Sequence, residues 1–156
     1  MNPFKAVLLS LSFLICSTSH SIENAPFNTV QNLFAAISEF DYAKMKAVVT
    51  DDFQLLEAGE VWDIDILIKV IKANENTYER RNYFSLIKEV SRKEIVWVSY
   101  WNKATFTNLD EIVEIAWLES VVLVDDKGTW KLQLMHSTGV SLENVPADVT
   151  FEEYSN

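Results

Sequence analysis

The sequence predicts one α+β domain in which helices pack against one face of a curved antiparallel sheet. Apolar residues recur at helical spacing in the first half of the chain, whereas the second half alternates apolar and polar residues. β-branched runs on either side of the turn Asp125-Asp126-Lys127-Gly128 predict a long hairpin over 111–139. Helices followed by a meander of strands are the order typical of α+β folds.

Three helices and a short hairpin are predicted before the meander. The predicted elements are helices over 27–38, 42–49 and 64–75, and a hairpin from strand 53–57 through Ala58-Gly59-Glu60 to Val61-Trp62. Asn28 or Thr29 is expected to cap the first helix and Asp63 the third, because their side chains accept hydrogen bonds from the first backbone N–H groups.

The rest of the chain is predicted to be mostly strands. The expected strands are 93–100, 104–108, 112–124 and 130–137, the first two separated by a turn at Trp101-Asn102-Lys103. Residues 76–92 are polar and are expected to form an exposed loop or an edge of the sheet. Residues 142–156 are acidic, contain Pro146 and lack periodicity, which predicts a C-terminal tail.

The first 21 residues have the pattern of a secretory signal peptide. Lys5 supplies a positive end, residues 6–16 form an apolar run too short to span a bilayer, and small residues precede a predicted cleavage after Ser21. The mature chain, with one domain over 22–141, is therefore expected in the periplasm or outside the cell, without membrane contact. Cys16 leaves lipid attachment open, although a bulky residue precedes it.

The composition excludes several classes of function. The chain carries 13 basic and 23 acidic residues, a net charge of −10, which repels nucleic acid and anionic lipid surfaces. The only cysteine and one of the two histidines lie in the predicted signal peptide. Since one histidine and no thiol remain, the usual zinc and copper clusters are excluded, and no metal or other cofactor is expected.

Several short motifs occur in a characteristic order. They are the acid pair Asp51-Asp52, Gly59 in the first turn, and Gly128-Thr129-Trp130-Lys131 at the start of the last strand. In this order they resemble the nuclear transport factor 2-like superfamily, over residues 27–141. The superfamily includes ketosteroid-isomerase-like and SnoaL-like proteins, and the similarity is nearest to its small secreted domains of unknown function. The resemblance implies a cone-shaped sheet wrapped over three N-terminal helices, with a cavity that serves as an enzyme site, a ligand pocket or a partner surface.

The resemblance also implies where an isomerase would keep its catalytic groups. Ketosteroid-isomerase-like enzymes combine a carboxylate base with a tyrosine and a protonated acid that stabilise an enolate. The base position falls on Glu57, which is either a general base or a solvated carboxylate at a turn. The tyrosine position falls near Leu33, which cannot donate a hydrogen bond, and the second donor near Ser120, with Glu119 one place away. The missing donor pair argues against an enzyme.

One histidine and three tryptophans are the other candidates for a site. With strict alternation, His136 shares a face with Trp130, so it either lines the cavity as a donor or is a core histidine bonded to the backbone. Trp62, Trp97 and Trp117 are candidates for the wall of an apolar pocket. Tryptophans in this number also fill cores and dimer interfaces.

Three functions fit these residues. The favoured one is the binding of a small apolar molecule in the cone cavity. The alternatives are an isomerase, cyclase or dehydratase with Glu57 as general base and His136 as donor, and a protein-interaction module on the cell envelope. The aromatic sheet face further predicts a homodimer, because a large apolar surface is seldom left in water.

Overall fold

The computed structural model describes residues 25–109 and 111–154. The predicted signal peptide, its cleavage after Ser21 and the Cys16 thiol lie outside these residues. The described part contains α1 (Pro26–Ser38), α2 (Tyr42–Ala47), β1 (Val49–Glu57), β2 (Glu60–Trp62), α3 (Ile64–Lys72), β3 (Glu79–Arg92), β4 (Ile95–Asn108), β5 (Glu111–Asp126), β6 (Thr129–Val140), a short 3₁₀ helix (Leu142–Asn144) and β7 (Glu152–Tyr154). No helix among these is long and apolar enough to cross a membrane.

The helices begin where local chemistry satisfies their first backbone N–H groups. Asp63 caps α3 as predicted, accepting a hydrogen bond of 2.8 Å from the backbone N–H three residues on. Asp41 caps α2 in the same way, at 2.9 Å. The prediction that Asn28 or Thr29 caps α1 is wrong. Pro26 starts this helix instead, because its fixed φ suits the first turn and it has no N–H to satisfy.

All seven strands form one sheet in the order β2-β1-β6-β5-β4-β3-β7. Neighbouring strands are antiparallel except β1 and β6, which run parallel. The helices pack against the inner face of this sheet and share one hydrophobic core with it. The predicted α+β class, with helices on one face of a mostly antiparallel sheet, is confirmed.

Two strands of the meander differ from the prediction. β4 continues through Trp101-Asn102-Lys103, where the sequence predicts a turn. Asparagine favours turns when its side chain bonds to its own backbone, but here the Asn102 Nδ2 donates to Glu119 Oε2 at 3.2 Å. Residues 76–92, predicted to be an exposed loop or an edge of the sheet, mostly form β3, and the tight turn lies at Lys93, whose φ is 50°.

The C-terminal segment contains a short strand that the sequence does not predict. β7 pairs with β3, and Tyr154 stands opposite Asn82. The Tyr154 ring lies 6.3 Å from that of Phe84, and its hydroxyl donates to Asn32 of α1 at 3.2 Å. Such contacts join residues far apart in the chain and leave no periodic pattern. The segment predicted as a tail over 142–156 thus includes a 3₁₀ helix at Leu142–Asn144 and a strand at Glu152–Tyr154.

The sheet bends where one strand carries an extra residue. Gln133 of β6 forms such a β-bulge, since Leu132 and Leu134 pair with the adjacent residues Leu123 and Val122 of β5. A bulge shifts the alternation of side chains by one. Leu132 is thus fully buried beneath the helices, whereas Leu134 points to the outer face of the sheet. A second irregularity interrupts the pairing of β3 with β4.

The helices and the inner sheet face enclose one hydrophobic core. α1 contributes Val30, Leu33 and Ile37, which lie on one side of the helix. The sheet contributes Val98 and Leu123, which are fully buried. Each fully buried aliphatic side chain contributes roughly 1.5–3 kcal/mol to folding. This core fixes the position of α1 relative to the sheet and so determines the size of the cavity between them.

Candidate functional site

A cavity of about 210 Å³ lies between α1, α3 and the inner face of the sheet. Its wall is mostly apolar and includes Leu33, Phe34, Ile37, Trp62, Leu67 and Met135. Four neighbouring strands add a polar cluster that consists of Arg80, Asn102, Glu119 and Ser137. An apolar wall with a few convergent polar groups is the usual form of a small-molecule site. Within 25–109 and 111–154, no three His, Cys, Asp or Glu side chains are grouped to hold a metal ion.

Four of the six predicted site residues line this cavity: Leu33, Glu57, Trp62 and Trp117. Glu57 ends β1 two residues after the buried Leu55, so its side chain points to the same side of the strand. Trp62 lies at the wall, and its Nε1 donates to Glu60 at 2.7 Å. The cavity therefore brings together the candidate base, Glu57, and two of the three candidate tryptophans, Trp62 and Trp117.

His136 does not line the cavity. It is exposed, whereas Met135 and Ser137 on either side of it are buried and line the cavity. The cause is the bulge at Gln133, which reverses the alternation that a strict period of two assumes. Glu57 and His136 point to opposite faces of the sheet. The pairing of Glu57 as base with His136 as donor is therefore corrected.

Trp97 also lies outside the cavity. It is 40% exposed on β4, between Val96 and Val98, which are both buried. Because side chains alternate along a strand, Trp97 projects from the outer face of the sheet. Its predicted place in the pocket wall is corrected to the outer surface.

Glu119 is the centre of the polar cluster. It is 4% exposed; its Oε1 accepts a hydrogen bond of 2.9 Å from Ser137 Oγ, and its Oε2 accepts one of 3.2 Å from Asn102 Nδ2. Burial raises the pKa of Glu119 to about 7, although its polar neighbours and the charge of Arg80 act in the opposite direction. The carboxyl group therefore exchanges its proton near neutral pH.

Arg80 supplies the positive charge of the polar cluster. Its Cζ lies 5.2 Å from the centre of the Phe34 ring and 5.8 Å from that of Trp117. Its Nε donates to Asn82 Oδ1 at 2.8 Å. Burial lowers the pKa of Arg80 to about 10, and the charge of Glu119 opposes this change. The guanidinium thus stays cationic at neutral pH and faces a carboxyl group that does not always carry a charge.

Two buried polar atoms beside Glu119 have no hydrogen-bond partner among the described residues: Asn102 Oδ1 and the Tyr100 hydroxyl. Burial, followed by the nearby charge of Glu119, raises the pKa of Tyr100 well above its ordinary value. The Tyr100 hydroxyl is thus close enough to the carboxyl group for the two groups to act on each other's pKa. Asn102 is 1% exposed and lines the cavity, so its Oδ1 is a buried acceptor without a donor in the wall of the cavity.

Sequence reasoning missed Arg80 and Asn102 as site residues, and it placed the second donor at Ser120, one residue from Glu119. A signal exists for Glu119, because it stands two residues before Val121 and so shares the buried face of β5 with it. The signal is weak, since both faces of this strand are apolar. Arg80 and Asn102 have no local signal, because their partners lie on other strands.

Comparison with known proteins identifies relatives by structure only. No protein-family model matches the sequence, and no curated protein does. An NTF2-like protein from Cytophaga hutchinsonii matches with a TM-score of 0.59 at 15% identity, over 73% of this chain and 94% of that one. A ketosteroid isomerase-like protein from Erwinia carotovora atroseptica matches at 0.61 and 20% identity, over 78% and 98%. The CamKII hub homology domain from Chlamydamonas reinhardtii matches at 0.65 and 18% identity, over 74% and 95%.

These likenesses establish the fold and leave the activity open. The nuclear transport factor 2-like fold that the motifs predict is confirmed. The three neighbours carry different descriptions, an NTF2-like protein, an isomerase-like protein and a kinase hub domain. One fold with several functions means that the function of this chain has to be argued from its own cavity.

Proposed function

We propose that this chain binds a small, mostly apolar molecule in the cavity between α1, α3 and the sheet. The observation that carries the proposal is the wall, in which aliphatic and aromatic side chains surround one polar cluster. Such a wall holds the apolar body of a ligand by excluding water, and a few polar groups orient it.

The pattern of residues 1–21 supports export of the protein to the periplasm or the medium. Amino-terminal sequencing of the native protein tests whether the signal peptide is removed.

The volume of the cavity limits the enclosed ligand to about one ring. An apolar cavity of about 150 Å³ holds one benzene molecule, and this cavity of about 210 Å³ is moderately larger. If the number of enclosed atoms scales with the cavity volume, the enclosed part of a ligand has roughly eight non-hydrogen atoms. A molecule with several fused rings would have to extend through the opening. We therefore expect single-ring ligands.

Val70→Trp is expected to weaken the binding of toluene about tenfold or more. Val70 lines the cavity yet is 40% exposed, so it lies at the opening, where an indole would block entry. Ile66→Trp is the matched control, because Ile66 lies one turn earlier on α3, is also 40% exposed and does not line the cavity. Toluene titrations followed by heteronuclear NMR measure both affinities.

The location of the shifted amides provides the second readout of this titration. Binding in the cavity shifts the amides of Leu33, Met135 and Trp117 together in the wild-type protein. If toluene and other single-ring compounds cause no saturable shift there, or if both tryptophan variants bind toluene equally well, the proposed site is wrong.

The isomerase alternative has less support from the geometry. Glu57 lines the cavity, as a general base would need to. Leu33, where the resemblance implies a tyrosine donor, is fully buried and apolar. Glu119 is a possible acid, but its oxygens already face Ser137 and Asn102. With one oxyanion donor missing, binding without turnover accounts for this cavity better.

We further propose that two copies of the chain pair through the outer face of the sheet. This face contains Ile95, Trp97, Trp101, Leu118 and Leu134. Trp101 stands opposite Leu118 across β4 and β5, and the exposed Ile95 and Trp97 continue the patch along β4. An apolar patch of this kind is seldom left in water. The likeness to a hub domain supports a homo-oligomer.

Leu118→Arg is expected to convert the dimer to a monomer, because it buries an unpaired charge in the proposed interface. Ile66→Arg is the control, since Ile66 on α3 is equally exposed, at 40%, but lies on the helical side of the molecule. Sedimentation equilibrium gives the mass of each variant. A monomeric wild-type protein at roughly 100 μM, well above the dissociation constants of stable dimers, would contradict the pairing and favour an envelope interaction module.

A further inference from the structure

We propose that the ligand of the cavity is a neutral alcohol whose hydroxyl group donates a hydrogen bond to Asn102 Oδ1. The inference rests on the proposed function and names the class of molecule that the cavity takes. Asn102 is 1% exposed and lines the cavity, and its Oδ1 has no donor among the described residues. A buried acceptor without a donor costs free energy, and a ligand that brings a donor recovers it.

The cluster selects a ligand that donates over one that only accepts. Ser137 Oγ donates to Glu119 Oε1, and Asn102 Nδ2 donates to Glu119 Oε2. These two neutral donors of the cluster are thus directed at the carboxyl group, and the acceptor left without a donor is the amide oxygen of Asn102. A ketone has no proton to donate, so in the cavity it would leave the Asn102 oxygen unpaired.

The charges in the cavity disfavour an acidic ligand. Two carboxyl groups, Glu57 and Glu119, line it together with one guanidinium, that of Arg80. The guanidinium donates through its Nε to Asn82 and lies over aromatic rings. A carboxylate ligand would therefore bring a further negative charge into a site with an excess of acids, where the low dielectric strengthens the repulsion.

Three single-ring probes of similar size test the proposal: cyclohexanol, cyclohexanone and cyclohexanecarboxylate. Their affinities for the purified protein are measured by heteronuclear NMR at about pH 8.5, where the carboxyl group of Glu119 is mostly ionised and holds Asn102 Nδ2. We expect cyclohexanol to bind about tenfold more tightly than cyclohexanone. Cyclohexanecarboxylate is expected to bind most weakly. This ranking uses the wild-type protein alone and does not depend on any variant folding.

Asn102→Leu isolates the amide oxygen. Leucine has the same branched shape and no polar atom, so we expect cyclohexanol to lose its advantage over cyclohexanone. Asn108→Leu is the matched control, because it makes the same substitution at the exposed end of the same strand and is expected to leave the ranking unchanged. Circular dichroism establishes that both variants fold.

The outcomes separate this proposal from the proposed function. If cyclohexanone or cyclohexanecarboxylate binds in the cavity as tightly as cyclohexanol, the alcohol class is wrong while ligand binding stands. The same holds if Asn102→Leu keeps the preference for cyclohexanol. If neither these probes nor toluene binds in the cavity, the proposed function itself fails, and the inference fails with it.

Discussion

Glu119→Gln is expected to raise the free energy of unfolding by about 3 kcal/mol at about pH 8 and to change it little at about pH 4.5. The pKa of Glu119 rises from its ordinary value of 4.5 to about 7 on burial, and each pKa unit corresponds to about 1.4 kcal/mol. The folded protein holds this proton to a higher pH than the unfolded chain does. The free energy of unfolding of the wild-type protein therefore falls as the pH rises from 4.5 to about 7 and levels off above that range. Glutamine removes the loss because it carries no charge at any pH.

The substitution also preserves the local hydrogen bonds. A Gln amide can donate to Ser137 Oγ and accept from Asn102 Nδ2, the two groups that bond to Glu119. Glu114→Gln is the control for net charge, since Glu114 lies on the same strand but is exposed and pairs with Lys103 at 3.0 Å. Urea unfolding at both pH values measures all three proteins. Equal stabilisation at both pH values, or in both variants, would refute the assignment.

Asn82→Ala is expected to lower the free energy of unfolding by about 2–4 kcal/mol. Asn82 is 3% exposed, and its Nδ2 donates to the Phe34 carbonyl at 3.2 Å and to Ser38 Oγ at 2.7 Å. Its Oδ1 accepts from Arg80 Nε at 2.8 Å. One side chain thus joins the end of α1, strand β3 and the charged group of the cavity. Alanine leaves these partners buried without their bonds, which is the costly case.

Two further variants locate the source of this loss. Asn82→Asp keeps the acceptor for Arg80 and removes both donations to α1, so it tests the helix contact separately. Asn108→Ala makes the same deletion at an exposed position on β4 and is expected to cost under about 0.5 kcal/mol. Chemical denaturation gives all three values. A loss at Asn82 no larger than that at Asn108 would show that the buried bonds contribute little.

Elements that depend on neighbouring residues could be predicted from the sequence. The bounds of α1 differ from the predicted 27–38 by one residue, because its apolar stripe is long. The turn of the last hairpin follows from local chemistry too, with positive φ at Lys127 and Gly128. Asp63 caps α3 through a bond to a residue three positions on. In each case the deciding interaction spans a few positions.

Features that depend on distant residues could not be predicted in this way. Asn102 favours a turn when only its neighbours in the sequence are considered. The structure shows that its side chain instead donates to Glu119 on the next strand. β7 exists because Tyr154 packs against Phe84 and α1, and nothing near Tyr154 in the sequence signals this. The resemblance placed Glu57 in the cavity wall, but the polar cluster depends on register across four strands.

The bulge at Gln133 bears on how such a cavity diversifies during evolution. Met135 and Ser137 face the ligand space, and His136 faces away, because one extra residue precedes them in β6. Loss of that single codon would leave Leu134 opposite Val122 and Met135 opposite Val121, so the same side chains would face the ligand space and only the bulge would disappear. Gain or loss of one residue at the bulge is thus absorbed by the strand, and the wall of the cavity diversifies by substitution of the residues that face it.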